Sequence, residues 1–288
     1  MNTNYSLGIL LKILNLLLIT IYSLLLIKFS KGFAVSHFCF LIAAIAVVIL
    51  LPIVLFFKIN LKLTRRAFKL HVLRALLNCG GIMSWVLALR YVGANEATAI
   101  SYTIPIFTSI LAWFYCEERL NGKCIIGIFF GIIGTLIVLQ PSFNVTTLGV
   151  LYAAFSACMW ACYDVICKKQ TTTEHYLKQV FFNFLFTALI LLPLALLDWQ
   201  KVTTRNLFEI SIISLLSATN VVVLFLAYKL APLILLMPFS YLRLLFMAAA
   251  TYLLFGEVLR SETILGVLII SVSSWFIFWQ QHKGKINL

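Results

Sequence analysis

The sequence predicts an all-α integral membrane protein with ten transmembrane helices, arranged as two inverted five-helix repeats. Three observations support this fold: ten long apolar stretches, an internal repeat, and basic residues concentrated at the ends of the stretches. Hydrophobic residues make up 63% of the 288-residue chain and charged residues only 11%, whereas an ordinary globular domain has about 25% charged residues. The apolar stretches leave no room for a soluble domain.

Each apolar stretch is long enough for one crossing, since a helix needs about 20 apolar residues to span the bilayer core. Lipid offers the backbone no hydrogen-bond partner, so runs of this length are predicted to be helices. The first stretch is interpreted as a retained span because it carries Lys12 and Asn15, and no small-x-small cleavage pattern follows it. The predicted spans cover residues 7–27, 33–57, 68–89, 97–115, 123–140, 147–167, 177–197, 207–229, 233–255 and 262–280.

The positions of Lys and Arg predict the orientation of the chain. With both termini in the cytoplasm, the inner connections are more basic than the outer ones, as the positive-inside rule requires. The net charge of +13 is therefore attributed to Lys and Arg residues that set the orientation of the spans and contact anionic lipid head groups, and not to nucleic-acid binding. We expect a multi-pass protein of a bacterial inner membrane. The inner connections hold Lys58, Lys62, Arg65, Arg66, Lys69, Arg119, Lys123, Lys168, Lys169, Lys178, Lys229, Lys283 and Lys285, and the outer ones Lys28, Lys31, Arg90, Lys201, Arg205 and Arg260.

The second half of the chain repeats the first at an offset of about 139 positions. The predicted repeats are residues 1–142 and 143–288, with five spans each. Five is an odd number, so the second half must enter the membrane from the opposite side, which makes an inverted-topology repeat. The matching positions are Ser101 with Ser240, Tyr102 with Tyr241, Glu118 with Glu257, Leu120 with Leu259, and Gly127 with Gly266.

Two signatures, one in each half, are typical of a known family. The first runs from Arg74-Ala75-Leu76 through Trp85 and the segment 99–107 to Glu117-Glu118-Arg119-Leu120. The second runs from Met237-Pro238-Phe239-Ser240-Tyr241-Leu242-Arg243 to Phe255-Gly256-Glu257. On these residues the chain resembles the drug/metabolite transporter superfamily, and in particular its ten-span EamA-type members.

Three further motifs are similar to rickettsial-type S-adenosylmethionine uptake carriers: His71-Val72-Leu73-Arg74, Ser84-Trp85 and the segment 164–169. That subgroup is expected to carry Arg-Tyr-Leu-Glu where this chain has Ser240-Tyr241-Leu242-Arg243. The resemblance implies a secondary carrier that moves a small organic metabolite by alternating access. The metabolite would be amphoteric, amino-acid-like or nucleoside-like, with S-adenosylmethionine as one example. The central cavity would be lined by spans 1–4 and 6–9, without cofactor, metal or enzymatic chemistry.

Arg243 is the strongest candidate for a substrate-binding residue. It lies near the middle of the ninth span, where an Arg costs from about 2.5 kcal/mol upward. It either holds an anionic group of a substrate or is fixed by a backbone carbonyl or an acid on another helix. On an ideal helix Ser240 lies about 60° from Arg243 and would share its cavity, whereas Tyr241 lies about 160° away. Tyr241 is predicted to pack between helices with its repeat mate Tyr102, which is also a candidate for the cavity lining.

Asp164 is the only acid well within a predicted span. It either forms a local ion pair with Lys168, four residues on, or acts in coupling, in gating or as a site for a cationic group. The repeat mates Glu118 and Glu257 follow spans four and nine. They are predicted to begin the turn into the next helix, where negative charge suits the helix dipole.

Aromatic and amide side chains complete the candidate set. Trp85, Trp160 and Tyr163 are predicted either to stack on a ring or cation of the substrate or to pack in the core. Asn78 and Asn220 either meet the substrate or form interhelical hydrogen bonds.

Other classes of function find less support in the sequence. The motifs H-E-x-x-H, G-x-S-x-G, G-x-G-x-x-G and the Walker loop are absent from it, so no enzyme is predicted. Gly127 and Gly131 are four residues apart and predict a close helix contact, either within the chain or in a homodimer. The alternative to a carrier is a channel or a non-transporting membrane interaction protein.

Overall fold

The described part of the chain is helical throughout. A computed structural model describes residues 4–29, 33–92, 97, 100–118, 122–139, 146–255, 265–266, 268–269 and 272. Within these ranges the regular elements are α-helices and one 3-10 helix, without a β-strand. In chain order they are α1 (Tyr5–Phe29), α2 (Val35–Phe56), α3 (Arg65–Val92), α4 (Ile104–Tyr115), α5 (Gly122–Leu139), α6 (Thr147–Gln170), α7 (Tyr176–Leu197), α8 (Thr204–Leu230), α9 (Leu233–Leu236), the 3-10 helix (Met237–Tyr241) and α10 (Leu242–Phe255).

Six of the described helices, α1, α2, α3, α6, α7 and α8, contain segments long and apolar enough to cross a membrane. They coincide with predicted spans one to three and six to eight, so the protein is a multi-pass membrane protein. The fourth and fifth spans correspond to the shorter apolar helices α4 and α5. The tenth predicted span, Glu257 and the predicted repeat boundary at residue 142 fall almost entirely outside the described residues.

The ninth span differs from the prediction of one continuous helix over residues 233–255. The α-helical hydrogen-bond pattern ends at Leu236, changes to a 3-10 pattern over Met237–Tyr241, and resumes at Leu242. Pro238 accounts for the change, because it has no N–H to donate and its ring crowds the preceding turn. The angular separations expected around an ideal helix for Ser240, Tyr241 and Arg243 therefore do not apply.

Small residues let the helices approach closely. The most extensive contacts join α3 to α6, α1 to α8, and α2 to α7. Ala46, Ala157 and Ala227 have no exposed surface, and a Cβ added to Gly8 would lie 2.7 Å from the Cβ of Ala231. A Cβ on Gly131 would overlap the ring of Tyr241. The small-residue face of α5 is therefore used at Gly131 for a contact within the chain.

Glu118 contacts a helix distant in sequence. Its Oε1 accepts a hydrogen bond from the backbone N–H of Leu233, and its Oε2 accepts one from Ile234, each 2.9 Å long. That Glu118 begins the turn into the next helix along the chain stays a prediction, and its carboxylate also caps the N-terminus of α9. Burial raises the pKa of the Glu118 carboxyl, although the two backbone hydrogen bonds favour its ionised form.

Candidate functional site

Three charged side chains from three helices interact electrostatically inside the bundle. Lys12 lies on α1, Asp164 on α6, and Arg243 at the start of α10, and the charge of Lys12 interacts with both of the others. The Lys12 side chain is only 6% exposed. Charged groups at membrane depth are costly and mark substrate or ion pathways. These three residues are therefore the centre of the candidate site.

Tyr228 of α8 completes the surroundings of the Lys12–Asp164 pair. The Lys12 Nζ lies 5.9 Å from the centroid of the Tyr228 ring, within the range of a cation–π contact. The Tyr228 side chain also interacts with the Asp164 carboxyl group. Asp164 thus has a cation from α1 and a hydroxyl from α8 around it.

The predicted local ion pair between Asp164 and Lys168 is not formed. The Lys168 Nζ donates instead to the backbone carbonyl oxygens of Tyr228, at 2.5 Å, and Ala231, at 2.6 Å. These carbonyls belong to the C-terminal end of α8, where the helix dipole attracts a cation. Lys168 therefore caps a helix, and Asp164 remains available to Lys12.

Arg243 lies beside the two stacked tyrosines. Its Nη2 donates a 2.9 Å hydrogen bond to the Ser23 Oγ of α1, and its charge interacts with Tyr102. The rings of Tyr102 and Tyr241 stack with centroids 5.7 Å apart, and the Tyr241 hydroxyl donates to the Tyr102 carbonyl oxygen at 3.2 Å. The predicted packing of Tyr241 between helices is therefore present. The guanidinium is held by a neutral hydroxyl, an acceptor that an anionic ligand could replace.

A pair of indole rings lies between α3 and α6. Trp85 and Trp160 are both half-buried, with ring centroids 6.0 Å apart and planes inclined by 49°. Trp160 and Asp164 are four residues apart on α6 and so lie on one face of that helix. A Cβ on Gly81 would lie 2.8 Å from the Trp160 Nε1. The absence of a side chain at Gly81 therefore makes room for the indole.

Two other candidates are engaged in interhelical hydrogen bonds. The Tyr163 hydroxyl lies 3.0 Å from the Asn183 Oδ1 of α7. The Asn15 Nδ2 donates to the Asn220 Oδ1 at 2.6 Å and to the Asn220 carbonyl oxygen at 3.3 Å. Both contacts hold helices together. A role for Tyr163 or Asn220 in substrate binding stays a prediction.

Asn78 and Ser240 are both half-buried. Asn78 lies on α3, and Ser240 lies in the 3-10 helix just before α10. Their roles in substrate binding also stay predictions.

The sequence comparison identifies the family. The model of the EamA-like transporter family matches the chain twice, over residues 6–140 and again over residues 147–279. The chain belongs to the EamA-like transporter family. The resemblance inferred from the two signatures is thereby confirmed.

Relatives of this EamA-like protein are named as transporters of small metabolites. An S-adenosylmethionine uptake transporter of Rickettsia bellii is 31% identical over 256 residues, covering 88% of this chain and 86% of the relative. A riboflavin transporter of Vibrio cholerae is 30% identical over 248 residues, covering 84% and 82%. A solved crystal structure with 16% identity superposes with a TM-score of 0.82 over 96% of this chain and 98% of the other. That likeness shows a shared fold.

Sequence reasoning did not place three residues in the site of this EamA-like protein: Lys12 of the charged centre, Tyr228 beside Lys12 and Asp164, and Asn15, the partner of Asn220. Lys12 and Asn15 were recognised only as features of the first span, and Tyr228 was not selected. A lysine inside a long apolar span carries the same energetic argument as Arg243, so Lys12 could have been found. Tyr228 could not, because a tyrosine near the end of an apolar helix is more often an interfacial anchor.

Proposed function

We propose that this protein is a secondary transporter that moves a small amphoteric metabolite across the bacterial inner membrane by alternating access. The carrier is built from two inverted five-helix repeats with both termini in the cytoplasm. Substrate binds between the repeats, near Lys12, Asp164 and Arg243. The observation that carries this proposal is the convergence of these three charges from opposite halves of the chain inside an apolar bundle.

The charges suit a substrate with both an acidic and a basic group. Arg243 donates to Ser23, and a substrate carboxylate would be a stronger acceptor than this hydroxyl. Asp164 offers a carboxylate for an ammonium or sulfonium group. The indole pair of Trp85 and Trp160 offers a surface for an aromatic ring or a cation.

The substrates of the named relatives fall within this chemistry. S-adenosylmethionine carries an amino group, a carboxylate, a sulfonium and an adenine ring, whereas riboflavin contributes a large ring system without an amino-acid group. The charged centre favours an amphoteric molecule of the first kind. Asp164 and Arg243 then act on its ionic groups, and the indoles act on its ring.

The helix contacts support two inverted repeats. The predicted repeat mates are α1 with α6, α2 with α7, and α3 with α8. If each helix is replaced by its repeat mate, the contact between α3 and α6 becomes the contact between α8 and α1, and the contact between α3 and α7 becomes that between α8 and α2. The contact between α2 and α7 is unchanged by the exchange. All of these contacts are present. The stacked rings of Tyr102 and Tyr241 are also repeat mates, as expected for residues beside a two-fold pseudo-symmetry axis.

Transport by the purified protein in liposomes tests the proposal. Radiolabelled S-adenosylmethionine and a panel of amino acids and nucleosides are offered to vesicles with and without the same compound inside. A carrier gives saturable uptake that is accelerated by internal substrate, whereas a channel gives uptake without this trans-stimulation. Failure of every compound to show trans-stimulated uptake would refute the carrier.

Variants then test the site. Arg243→Ala and Asp164→Asn are expected to abolish uptake while the protein still inserts and purifies normally. Arg205→Ala is the matched control, because the Arg205 side chain is 87% exposed and pairs with Glu209 on the surface of α8. Uptake by Arg243→Ala equal to that of the control variant would contradict the assigned site.

A further inference from the structure

A second group of polar and charged side chains is buried at the basic end of the bundle, and Cys167 of α6 interacts both with Arg74 of this group and with Asp164. At its centre the Arg74 side chain of α3 has no exposed surface. The group, named here the Arg74 cluster, consists of Arg74, His71, Gln170, Glu174, Lys178 and Gln179. Its members lie at the start of α3, the end of α6, the connection after α6, and the start of α7.

The Arg74 guanidinium links helices of the two proposed repeats. Its Nη1 donates to the Gln170 Oε1 at 2.9 Å, and its Nη2 donates to the Gln179 carbonyl oxygen at 2.6 Å. The guanidinium carbon also lies 5.3 Å from the ring centroid of Phe225 on α8. One side chain of the first repeat therefore contacts three helices of the second.

His71 extends the cluster to a carboxylate. Because the guanidinium has no lone pair to offer, His71 Nδ1 must accept the 3.2 Å hydrogen bond from Arg74 Nη2. The proton of the neutral ring is then on Nε2, which lies 2.8 Å from the Glu174 Oε2. Lys178 Nζ lies 3.2 Å from the other oxygen of Glu174. Glu174 thus connects α3 to the start of α7.

Several buried polar atoms of the Arg74 cluster make no hydrogen bond within the described residues. Within the described residues, Arg74 Nε, Gln170 Nε2 and Gln179 Oε1 are buried and have no hydrogen-bond partner. Buried polar atoms without partners are costly, and water would satisfy them if these helices separated. The contacts with Gln170, Gln179 and Glu174 favour the closed arrangement, whereas hydration of these atoms favours the open one. Such opposing contributions suit an interface that must open and close repeatedly.

The equivalent region of the second repeat has a different chemistry. At the offset of 139 positions, Arg74 corresponds to Ile213 of α8, which is fully buried. Ile213 packs with Phe38, Ile42 and Ile210 in a separate apolar cluster between α8 and α2. The region of Arg74 is therefore held by charged and polar groups, whereas the region of Ile213 is held mainly by apolar side chains, with the buried His37 ring packed on Trp199 beside them.

We infer that the Arg74 cluster is the cytoplasmic gate of the transporter. The inference rests on the proposed alternating-access function. Opening towards the cytoplasm requires α3 to separate from α6 and α7, which breaks the contacts of Arg74 with Gln170 and Gln179 and that of His71 with Glu174. Opening to the outside leaves these contacts intact and separates the apolar cluster around Ile213. Arg74 and Glu174 therefore act on access and not on substrate contact.

A native thiol reports on this gate without any substrate. Cys167 of α6 has no exposed surface and interacts directly with the Arg74 side chain. Inside-out membrane vesicles containing the full chain are treated with a membrane-impermeant maleimide, and site-resolved mass spectrometry follows labelling of Cys167. Gln170→Leu and Glu174→Gln are expected to accelerate labelling by about tenfold or more, the population change implied by loss of one charge-assisted hydrogen bond.

The matched control is Lys169→Gln, an exposed neighbour at the same end of α6, which is expected to leave the labelling rate unchanged. Cys79 distinguishes opening from unfolding, because it is buried on α3 and interacts with Cys39 of α2, within one repeat. Acceleration at Cys167 alone supports the gate. Unchanged labelling of Cys167, or equal acceleration at Cys79, overturns it. Trans-stimulated uptake by the wild type, measured separately, shows whether the transport proposal itself stands or fails.

Discussion

Removal of the Glu118 carboxylate gives a sharp test of how the first half of the chain holds α9. The carboxylate accepts one hydrogen bond on each oxygen, from Leu233 and Ile234, both 2.9 Å long. These N–H groups begin the short helix that leads to the 3-10 segment and Arg243. Glu118→Ala leaves both donors without an acceptor.

The expected magnitude follows from the number of bonds and from burial. Hydrogen bonds to a charged group contribute about 1.5–3 kcal/mol each, so the upper limit for two is roughly 3–6 kcal/mol. The raised pKa of Glu118 indicates that burial disfavours its ionised form more than the two bonds stabilise it. We therefore expect a net loss of about 2–3 kcal/mol for Glu118→Ala. Glu118→Gln removes one hydrogen bond, but it also removes the unfavourable burial of a negative charge. The free energy of unfolding is therefore expected to fall by about 1 kcal/mol or less.

Reversible unfolding in mixed detergent micelles, followed by tryptophan fluorescence, measures these differences. Glu117→Gln is the matched control, because Glu117 is the adjacent carboxylate and is exposed. The free energy of unfolding should decrease in the order control, Glu118→Gln, Glu118→Ala. A Glu118→Gln protein as unstable as Glu118→Ala would refute the reasoning, because the negative charge itself would then provide the stabilisation.

Three further predictions concern other contacts. A double-mutant cycle with Asn15→Ala and Asn220→Ala should give a coupling free energy of about 0.6–1.7 kcal/mol, the range for interhelical hydrogen bonds in membranes; additive effects in unfolding would show that the pair contributes nothing. Gly81→Ala should shift tryptophan emission, because the new Cβ would lie 2.8 Å from Trp160 Nε1, whereas in Gly122→Ala it would meet nothing within 4 Å; identical spectra would contradict the close contact. Lowering the pH should change the stability of the protein in opposite directions through Glu174 and Glu118. Burial alone would raise the pKa of Glu174, but His71 and Lys178 outweigh it and hold that pKa below 4.5, so its stabilisation is lost as the pH falls below about 4.5. The pKa of Glu118 lies above 4.5, so wild type should gain stability relative to Glu118→Gln as the pH falls through that pKa. Thermal unfolding of wild type, Glu118→Gln and Glu174→Gln between about pH 7 and pH 2.5 checks the two signs, and equal slopes would refute them.

Hydropathy was sufficient to predict the long spans, because lipid leaves a run of apolar residues no alternative to a helix. The same rule could not predict the change at Met237–Tyr241, since these residues are as apolar as their neighbours and only Pro238 marks the position. The packing of Tyr241 between helices together with Tyr102 was predicted from their matching positions in the sequence, and the two rings stack.

Charged residues were harder to assign. Arg243 was found because it lies near the middle of a span, whereas Arg74 is close to a basic connection and resembles a topology signal in sequence. Its complete burial depends on Gln170 and Gln179, about 100 positions away, and no local pattern reports such contacts. The pairing of Asp164 with Lys12 instead of Lys168 likewise depends on which helices become neighbours, which spacing along one helix cannot reveal.

The 3-10 segment of five residues between α9 and α10 has a mechanical consequence. The 3-10 segment interrupts the α-helical hydrogen bonds between α9 and α10, so the direction of α10 relative to α9 is set by contacts with other helices. Glu118 holds the N-terminus of α9, and the hydrogen bond from Arg243 to Ser23 joins the start of α10 to α1. A molecule that competes for Arg243 would break this hydrogen bond and remove one of the contacts that set the direction of α10 relative to α1.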